Sequence, residues 1–292
     1  MNSIVSDDLT FAELSAELNK RKAGFTWKFE DLGETAEVEL GDVAKFSLSL
    51  AEPLSAEFTR KMHQNGRTVE PSVCLCLETV AEIMGVRTVL DIGTHYGFIS
   101  LFLGCQDAIE TVHSVEMNPD VVKIFEANLD LNPGVKKKCI IHNIGLSDED
   151  IHNRDVWYHG MRLLFDQPGN KGIPKTQLDI LKFETLIDRI GGLPDLIKID
   201  IEGFEAKLVD DLRTMDCSQK RPVIMLELHG EELLNRLGST RTEIFDALFS
   251  HDYKCAMVNW HQHLPAGAIL GEVTKENLEE KLVKPHGMYL FW

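Results

Sequence analysis

Ionisable side chains stand at the ends of several apolar runs, where a parallel sheet would bring them together. Asp91 ends the run RTVLDIG, Glu116 ends TVHSVEM, and Lys198 and Asp200 lie in DLIKIDIEG. Ligands of open α/β sheets bind outside the carboxyl ends of the strands, in the crevice where the strand order reverses. These side chains are therefore the first candidates for chemistry.

The segment after the first run has the glycine spacing of a turn that meets a ligand. Gly93 permits a tight turn and a close approach of the ligand, and Gly97 lets the next helix pack tightly. The free amides at the start of that helix favour a carboxylate. A plain strand–helix turn has the same Gly-x-x-x-Gly spacing, so this loop alone does not establish a site. The candidate cofactor-binding residues in this segment are Asp91, Gly93, Thr94, His95, Tyr96 and Gly97.

The acid at the end of the second run indicates the kind of ligand. Glu116 is placed to accept hydrogen bonds from both ribose hydroxyls of an adenosine, although alone it would be read as an exposed acid at a strand end. The Gly-x-Gly-x-x-Gly spacing of pyrophosphate-binding dehydrogenases is missing. Asp91 suits a cationic cofactor that carries an amino acid, which favours S-adenosylmethionine over NAD and FAD. Further candidate cofactor residues are Met117, Asn143, Ile144 and Gly145, at the ends of the second and third strands.

A second group of ionisable residues is a candidate for catalysis. Lys198 and Asp200 share one face of a strand, where charges cost free energy unless they are paired or used. A structural ion pair of Lys198 with Asp200 or Glu227 would also explain them. His229 is the candidate general base because imidazole titrates near neutral pH, although a histidine that caps a carbonyl fits this position equally well. The candidate catalytic residues are His229, Asp200, Glu202 and Lys198.

Divalent metal binding is a less favoured alternative at these positions. Asp200, Glu202 and Glu227 offer the hard oxygen ligands that Mg²⁺ prefers, but they serve equally as bases or as ligands of the cofactor ammonium and the acceptor hydroxyl. His261 and His263 have the spacing of a metal pair, but a solvated loop is favoured because no third ligand is evident. The sequence therefore predicts no metal ligands.

The elements that would position these residues alternate between strand and helix. Strand, turn and helix repeat from about residue 87 onward. The strands are continuous apolar runs, as expected where helices cover both faces of a sheet. This repetition predicts an α/β fold with a parallel, doubly wound sheet.

An N-terminal α+β extension precedes this pattern at residues 1–70. Apolar spacing predicts a helix at 7–21, alternation around a Gly-Asp turn predicts a β-hairpin within 24–50, and 53–65 are predicted to be helical. We expect the extension to act as a lid over the site or as a homodimer contact.

The predicted catalytic domain covers residues 71–292 and contains a polar, irregular insert at about 147–176. Aromatic side chains in the insert could stack on a ring or sugar, or they could form a hydrophobic cover over the sheet edge. The candidate acceptor-binding residues are Trp157, Tyr158, Arg162 and Glu227.

Composition limits the partners and the setting. The 292 residues carry a net charge of −17, and such an acidic surface repels nucleic acid and anionic membranes. None of the six cysteines forms a Cys-x-x-Cys pair, no signal peptide is evident, and no run is long enough to span a membrane. We expect a reduced cytoplasmic protein with a small-molecule partner.

Four segments of the chain resemble the FkbM family of methyltransferases. They read VLDIGTHYGFISLFLG, SVEMNPDVVKIFEANLDLN, LIKIDIEGFE and PVIMLELHG, and they follow the family's order within residues 87–230. The resemblance implies a Rossmann-like class I methyltransferase domain with a mostly parallel, seven-stranded sheet and a reversed last strand. It also implies methyl transfer from S-adenosylmethionine, usually to a hydroxyl of a sugar, polyketide or related natural product.

The resemblance extends to individual positions. It implies that Asp91, Gly93 and Gly97 belong to the cofactor loop and that Glu116 is the ribose-binding acid. The family usually has Asn where this chain has His95, so the pocket for the methionine end of the cofactor is expected to differ.

Other functions use the same crevice. The first alternative is a methyltransferase that acts on an amine or a carboxylate. The second is a dehydrogenase, which the missing pyrophosphate spacing disfavours. The third is a non-catalytic cofactor-binding or scaffolding protein, which the retained acids Asp91, Glu116 and Asp200 disfavour.

Overall fold

The N-terminal segment folds into a helix, a small antiparallel sheet and a second helix. The computed structural model describes residues 8–159, 162–164, 175–259, 264–282 and 286–292. The first six elements are α1 (Phe11–Lys22), β1 (Trp27–Asp31), β2 (Thr35–Leu40), β3 (Ala44–Ser49), α2 (Pro53–Met62) and a 3-10 turn (Gln64–Gly66). The predicted β-hairpin is therefore one strand short, because β1 also pairs with β2 and completes a three-stranded sheet.

Local sequence explains these elements. Thr10 caps α1 through a reciprocal hydrogen-bonded box with Glu13. On β2, Val38 and Leu40 are buried while the acids between them are not, so the sheet has one apolar face. That face belongs to the same hydrophobic cluster as the helices of the large sheet.

The larger part of the chain forms an eight-stranded, mostly parallel sheet with helices on both faces. Its first half contains α3 (Pro71–Met84), β4 (Thr88–Ile92), α4 (Phe98–Gly104), β5 (Thr111–Val115), α5 (Pro119–Leu131), α6 (Pro133–Lys136) and β6 (Cys139–His142). Its second half contains α7 (Phe183–Ile190), β11 (Leu196–Ile199), a 3-10 turn (Phe204–Leu208), α8 (Val209–Thr214), β12 (Val223–Leu228), α9 (Glu231–Arg236), α10 (Arg241–Phe249), β13 (Cys255–Val258), β14 (Leu270–Val273), α11 (Leu278–Lys281) and β15 (Gly287–Phe291).

The strand order is β14-β13-β15-β12-β11-β4-β5-β6. Strands β4, β5, β6, β11 and β12 pair in parallel, and β15 runs antiparallel between β12 and β13, which confirms the expected reversed last strand. The eighth strand is β14, a short edge strand at Leu270–Val273 beyond the predicted seven. Its four residues are a weak signal in a segment rich in glycine and charge.

The insert is ordered where the structure describes it, and the prediction of an irregular segment was wrong there. Strands β7 (Gly145–Leu146), β8 (Ile151–His159), β9 (Arg162–Leu164) and β10 (Lys175–Leu181) form a second sheet in the order β7-β10-β8-β9. The polar residues of β8 and β10 pair with one another, for example Lys175 with Asp155, so the strands do not show an apolar run.

Side chains that alternate along the strands pack into separate hydrophobic clusters on the two faces of the sheet. Val89 belongs to the cluster that contains α3 and α4, whereas Leu90 belongs to the one that contains α8 and α10. The extension adds Leu14 and Leu18 of α1 to the first cluster. Among the described residues, no helix has the length and apolar character needed to cross a membrane.

The C-terminal Trp292 ties the extension to the sheet, and its truncation tests that tie. Its ring is 1% exposed and its indole N–H donates to the Leu9 carbonyl at 2.9 Å. We expect Trp292→Ala to lower the free energy of unfolding by about 3–5 kcal/mol, and Trp292→Phe, which loses chiefly the hydrogen bond, by about 1 kcal/mol. Urea unfolding measures both. Leu32→Ala, at a side chain that is 54% exposed, is the control and should change stability by less than about 0.5 kcal/mol. An equal loss of unfolding free energy in Leu32→Ala and Trp292→Ala would contradict the burial of Trp292 between the extension and the sheet.

Candidate active site

A buried hydroxyl network holds the carboxylate at the end of β4. Asp91 is fully buried, and its Oδ2 accepts a hydrogen bond from Ser100 of α4 at 2.6 Å. The Ser100 hydroxyl also lies 2.8 Å from the hydroxyls of Thr94 and Ser114. Asp91 Oδ1 has no hydrogen-bond partner among the described residues. One oxygen of this carboxylate is therefore fixed by a hydrogen bond, and the other faces the Lys198 ammonium at 3.9 Å and remains able to accept a hydrogen bond.

Two glycines in the loop after β4 are required by close approaches. Gly93 has φ +78°, and a Cβ there would lie 1.8 Å from the Asp200 carbonyl oxygen. Gly97 has φ +87°, and a Cβ there would lie 2.0 Å from the ring of Phe125. The spacing recognised in the sequence thus allows this loop to meet the end of β11 on one side and α5 on the other.

Glu116 lies directly beside this loop, as the sequence predicts. Its Oε2 accepts from the backbone N–H of His95 at 3.0 Å, and its Oε1 accepts from the N–H of Asn118 at 2.7 Å. Burial raises the pKa of Glu116 to about 7 although these amides favour the charged form. The side chain is partly exposed, so it can meet a ligand at the strand end.

Residues just after β6 hold the backbone at Glu116 and Met117 in place. The amide of Asn143 donates to the carbonyls of Glu116 and Met117 at 2.8 and 3.0 Å. A Cβ at Gly145 would lie 2.8 Å from the Met117 sulfur, and Ile144 is buried. The ends of β4, β5 and β6 therefore meet at one edge of the sheet, where the sequence predicts the cofactor.

Strand β11 brings a buried triad of Lys198, Asp200 and Asp91 to the same edge of the sheet. The Lys198 ammonium lies 3.1 Å from Asp200 Oδ2 and 3.9 Å from Asp91 Oδ1, and its side chain is 4% exposed. Burial disfavours the charge, but the carboxylates of Asp200, Asp91 and Glu70 outweigh burial and raise the pKa of Lys198. Burial would raise the pKa of Asp200, but the Lys198 ammonium holds it below its ordinary value. The structural ion pair considered for Lys198 is therefore present.

The structure adds one acid that the sequence analysis did not single out. Glu70 caps α3 in a left-handed conformation, with φ 42° and ψ 54°, immediately before Pro71. Oxygen atoms of Glu70, Asp200 and Glu227 lie within 4.8 Å of one another. Burial, followed by repulsion from neighbouring carboxylates, raises the pKa of Glu227 to about 8; for Glu70 burial raises it to about 7. No local sequence signal marks Glu70, because its partners come from the far half of the chain.

His229, predicted as the general base, is held in an ion pair. Its Nδ1 lies 3.2 Å from Oε1 of Glu205, which is fully buried, and its Nε2 lies 3.5 Å from Glu202. Burial lowers the pKa, but these carboxylates outweigh it and raise the pKa of His229 to about 10. A protonated imidazole has no lone pair to accept a proton, so this geometry favours a positioning role over that of a base.

Glu202 approaches His229 but is not one of the three carboxylates that cluster at this edge. Its side chain is 90% exposed, and its backbone has φ 54° in the turn after β11. Glu205 organises this turn, because its Oε1 accepts from the Ile201 N–H at 3.1 Å. The carboxylates beside Lys198 are therefore Asp200, Glu227 and Glu70 rather than Glu202.

The N-terminal extension covers the cofactor loop. The ring of Phe58 on α2 meets those of His95 and Tyr96 edge to face, with centroids 5.4 and 5.7 Å away. Burial lowers the pKa of His95 to about 4, so its imidazole is neutral. The Tyr96 ring is buried, and its hydroxyl has no hydrogen-bond partner among the described residues.

The predicted acceptor residues of the insert lie on its separate sheet. Trp157 is half-buried on β8, where it pairs with Lys175 and Leu164 of the neighbouring strands. The side chains of Tyr158 and Arg162, and the whole of His261 and His263, lie outside the described residues. Acceptor binding by the insert stays a prediction.

A comparison with protein-family models identifies the family of the chain. Residues 91–255, more than half of the chain, match the model of the methyltransferase FkbM domain. No curated protein matches the chain by sequence.

Solved structures give weaker similarities. Methyltransferase FkbM from Methylobacillus flagellatus KT is 16% identical over 71% of this chain and 44% of its own, with a TM-score of 0.42. This chain thus spans less than half the length of that protein. An O-methyltransferase from Bacillus cereus, in complex with SAH, is 12% identical over 83% of this chain and 88% of its own (TM-score 0.42). Precorrin-6y C5,15-methyltransferase from Geobacter metallireducens GS-15 is 14% identical over 71% and 81% (TM-score 0.35).

Substitution of His229, in its buried pair with Glu205, should destabilise the protein far more than substitution of the exposed Glu202. His229→Gln leaves the buried Glu205 carboxylate without its charged partner, so we expect a loss of about 3–5 kcal/mol in the free energy of unfolding. Glu202→Gln should cost less than about 0.5 kcal/mol, because solvent screens an exposed charge. Urea unfolding near neutral pH compares the two variants. A similar loss from both would show that Glu205 does not hold His229.

Proposed function

The chain belongs to the FkbM family of S-adenosylmethionine-dependent methyltransferases, and we propose that its acceptor is a hydroxyl group of a small metabolite such as a sugar or a polyketide. The observation that carries this proposal is the meeting of the glycine loop, Glu116 and the Lys198–Asp200 pair at one edge of the sheet. The glycine loop and Glu116 are suited to bind the cofactor, and the carboxylates beside Lys198 are suited to accept the proton that a hydroxyl acceptor must lose.

The residues at this edge fit the cofactor. We assign the ribose hydroxyls to the Glu116 carboxylate, which lies at the strand end beside the loop amides. Gly93 lets the loop pack against the end of β11, and Asp91 Oδ1, which faces Lys198 at 3.9 Å, is a buried acceptor that makes no hydrogen bond within the described residues. When bound, S-adenosylmethionine supplies a methyl group on a positively charged sulfur.

A hydroxyl acceptor requires a group that takes its proton. Displacement at the methyl group needs the acceptor oxygen, the carbon and the sulfur in line, and an alcohol is a poor nucleophile until its proton is shared. We assign this task to a carboxylate of the group Asp200, Glu227 and Glu70, because their oxygens converge beside the cofactor loop. Lys198 positions Asp200 of this group through an ion pair, whereas His229 is held by Glu205.

The extension supplies part of the wall of this site. The ring of Phe58 packs on His95 and Tyr96 of the cofactor loop, and Glu70 lies beside Asp200 and Glu227. This supports the role of a lid or wall for the extension. Homodimer formation through the same segment is a separate prediction that gel filtration of the full chain tests.

Cofactor affinity should depend on the ionisation of Glu116. Its pKa lies near 7, above the ordinary carboxyl value, and ribose hydroxyls donate to the charged form, so protonation opposes binding. We expect affinity for S-adenosylmethionine to rise about tenfold between pH 6 and pH 8 and to level off above. Calorimetry should show weaker binding and a smaller pH effect for Glu116→Gln, and unchanged behaviour for Glu110→Gln, an exposed acid at the other end of β5. A full pH effect in Glu116→Gln would remove Glu116 from the ribose site.

The acceptor is tested by transfer of a labelled methyl group. Full-length protein with methyl-labelled S-adenosylmethionine should label sugars or phenolic and polyketide hydroxyls, and should leave primary amines and carboxylic acids of similar size unlabelled. Asp91→Ala is the control for cofactor-dependent transfer and should lose about tenfold or more of the cofactor affinity. Label found only on amines or carboxylates would replace the hydroxyl proposal with the second class of methyltransferase.

A further inference from the structure

Three carboxylates from distant segments converge beside the cofactor loop. Glu70 precedes α3, Asp200 follows β11, and Glu227 lies in β12, yet one oxygen of each lies within 4.8 Å of the other two. All three side chains are partly buried. Carboxylates at such distances repel one another, and burial strengthens the repulsion because the local dielectric constant is low.

Two further buried atoms near this group make no hydrogen bond within the described residues. Asp91 Oδ1 belongs to a fully buried side chain, faces the Lys198 ammonium at 3.9 Å, and has no hydrogen-bond donor among the described residues. Tyr96 is 3% exposed, and its hydroxyl likewise makes no hydrogen bond within the described residues. The charge of the nearby Glu70 helps to raise the pKa of Tyr96. Native proteins satisfy nearly all such atoms with protein, water or a ligand.

The charge balance of this region indicates the sign of the ligand. Glu70, Asp91, Asp200 and Glu227 contribute four carboxylates, and the Lys198 ammonium is the cation placed among them. His229 is already paired with Glu205. Three negative charges are therefore left for ligands or protons to neutralise. The sulfonium cofactor carries one net positive charge, which leaves two.

We propose that Glu70, Asp200 and Glu227 bind one hard divalent cation of the Mg²⁺, Mn²⁺ or Ca²⁺ type beside the cofactor loop. Oxygen ligands suit these cations, and opposite ligands of Ca²⁺ are separated by about 4.6–5.2 Å, twice the usual metal–oxygen distance. All three oxygens lie within 4.8 Å of one another, which is within the span of a single Ca²⁺ coordination sphere, whereas the shorter bonds of Mg²⁺ require its ligands to lie within about 4.2 Å of one another. Water or an acceptor oxygen completes the coordination.

This ligand set differs from the one weighed on the sequence. Glu202 points to solvent, whereas Glu70 takes its place from the other side of the site. Glu70 lies outside the family match at 91–255, so the cation site is a property of this chain's extension and not of the matched domain alone. The left-handed backbone at Glu70 is the kind of local strain that is retained where a side chain must be aimed.

The cation would act on the acceptor and would not replace the cofactor. A hydroxyl oxygen bound to the cation would lose its proton more readily, and the second oxygen of one of these carboxylates would accept that proton, which would favour oxygen acceptors. This consequence rests on the proposed function, but binding of the cation does not, since it is measured without any acceptor.

The test is a titration of the full-length, chelator-treated protein with MnCl₂, MgCl₂ and CaCl₂ by calorimetry. We expect one cation per chain, with Kd below about 1 mM for at least Mn²⁺. Glu70→Gln and Glu227→Gln should each weaken binding by about tenfold or more, because each removes a ligand oxygen with its charge. Glu78→Gln, at a partly buried glutamate two turns along α3, is the matched control and should stay within about twofold.

Two additional variants keep the outcome decisive. Glu202→Gln should bind the cation like the wild type, and Glu70→Asp, which keeps the charge but shortens the side chain, should bind it with intermediate affinity. Thermal unfolding and S-adenosylmethionine binding on the same samples separate misfolding from loss of a ligand. No saturable binding to the folded wild type would overturn the site, as would a loss in Glu202→Gln or Glu78→Gln equal to that in Glu70→Gln. Retained S-adenosylmethionine binding in that case would leave the methyltransferase function untouched.

Discussion

One buried ammonium group, that of Lys198, is the contact on which the edge of the sheet depends. Strand register places Lys198 beside Asp91 of β4, and Asp91 beside Ser114 of β5, so a polar row crosses the centre of an otherwise apolar sheet. Without the ammonium, the carboxylates of Asp91 and Asp200 would face each other in a region that excludes water. The same contact draws the loop after β4 against the end of β11, where Gly93 meets the carbonyl of Asp200. The price of burying this charge is offset by two carboxylates and by the hydroxyls around Asp91.

The turn after β11 is shaped by a second buried charge. Glu205 accepts hydrogen bonds from the backbone of Ile201 and from the His229 ring, so a single carboxylate closes its own turn and fixes the end of β12. Together with Glu202, which approaches the other ring nitrogen, this carboxylate raises the pKa of His229. The candidate site therefore contains ionisable residues that are fixed in buried pairs and others that are exposed, and their residue types do not distinguish the two groups.

The extension packs directly against the candidate site. Its apolar residues share one hydrophobic cluster with α3 and α4, and Trp292 at the other end of the chain binds Leu9. Through Phe58 and Glu70 it supplies an aromatic ring beside His95 and Tyr96 and a further carboxylate at the candidate site. A methyltransferase sheet of this kind carries the cofactor residues itself, whereas the acceptor side of the site is built by whatever packs on it.

The sequence by itself determined the repeated strand–helix units, the glycine loop, and the acids Asp91 and Glu116, because each depends on residues close together in the chain. It also predicted that Lys198 and Asp200 lie at the same edge, since side-chain alternation and parallel strands require it. The insert strands β8 and β10 were missed because their polar faces pair with one another and leave no apolar run. Only the tertiary structure decided which acids meet. Glu70 lies beside Asp200 and Glu227, which are more than 100 residues later in the chain, and the buried Glu205 forms an ion pair with His229. Neither contact leaves a signal in the local sequence.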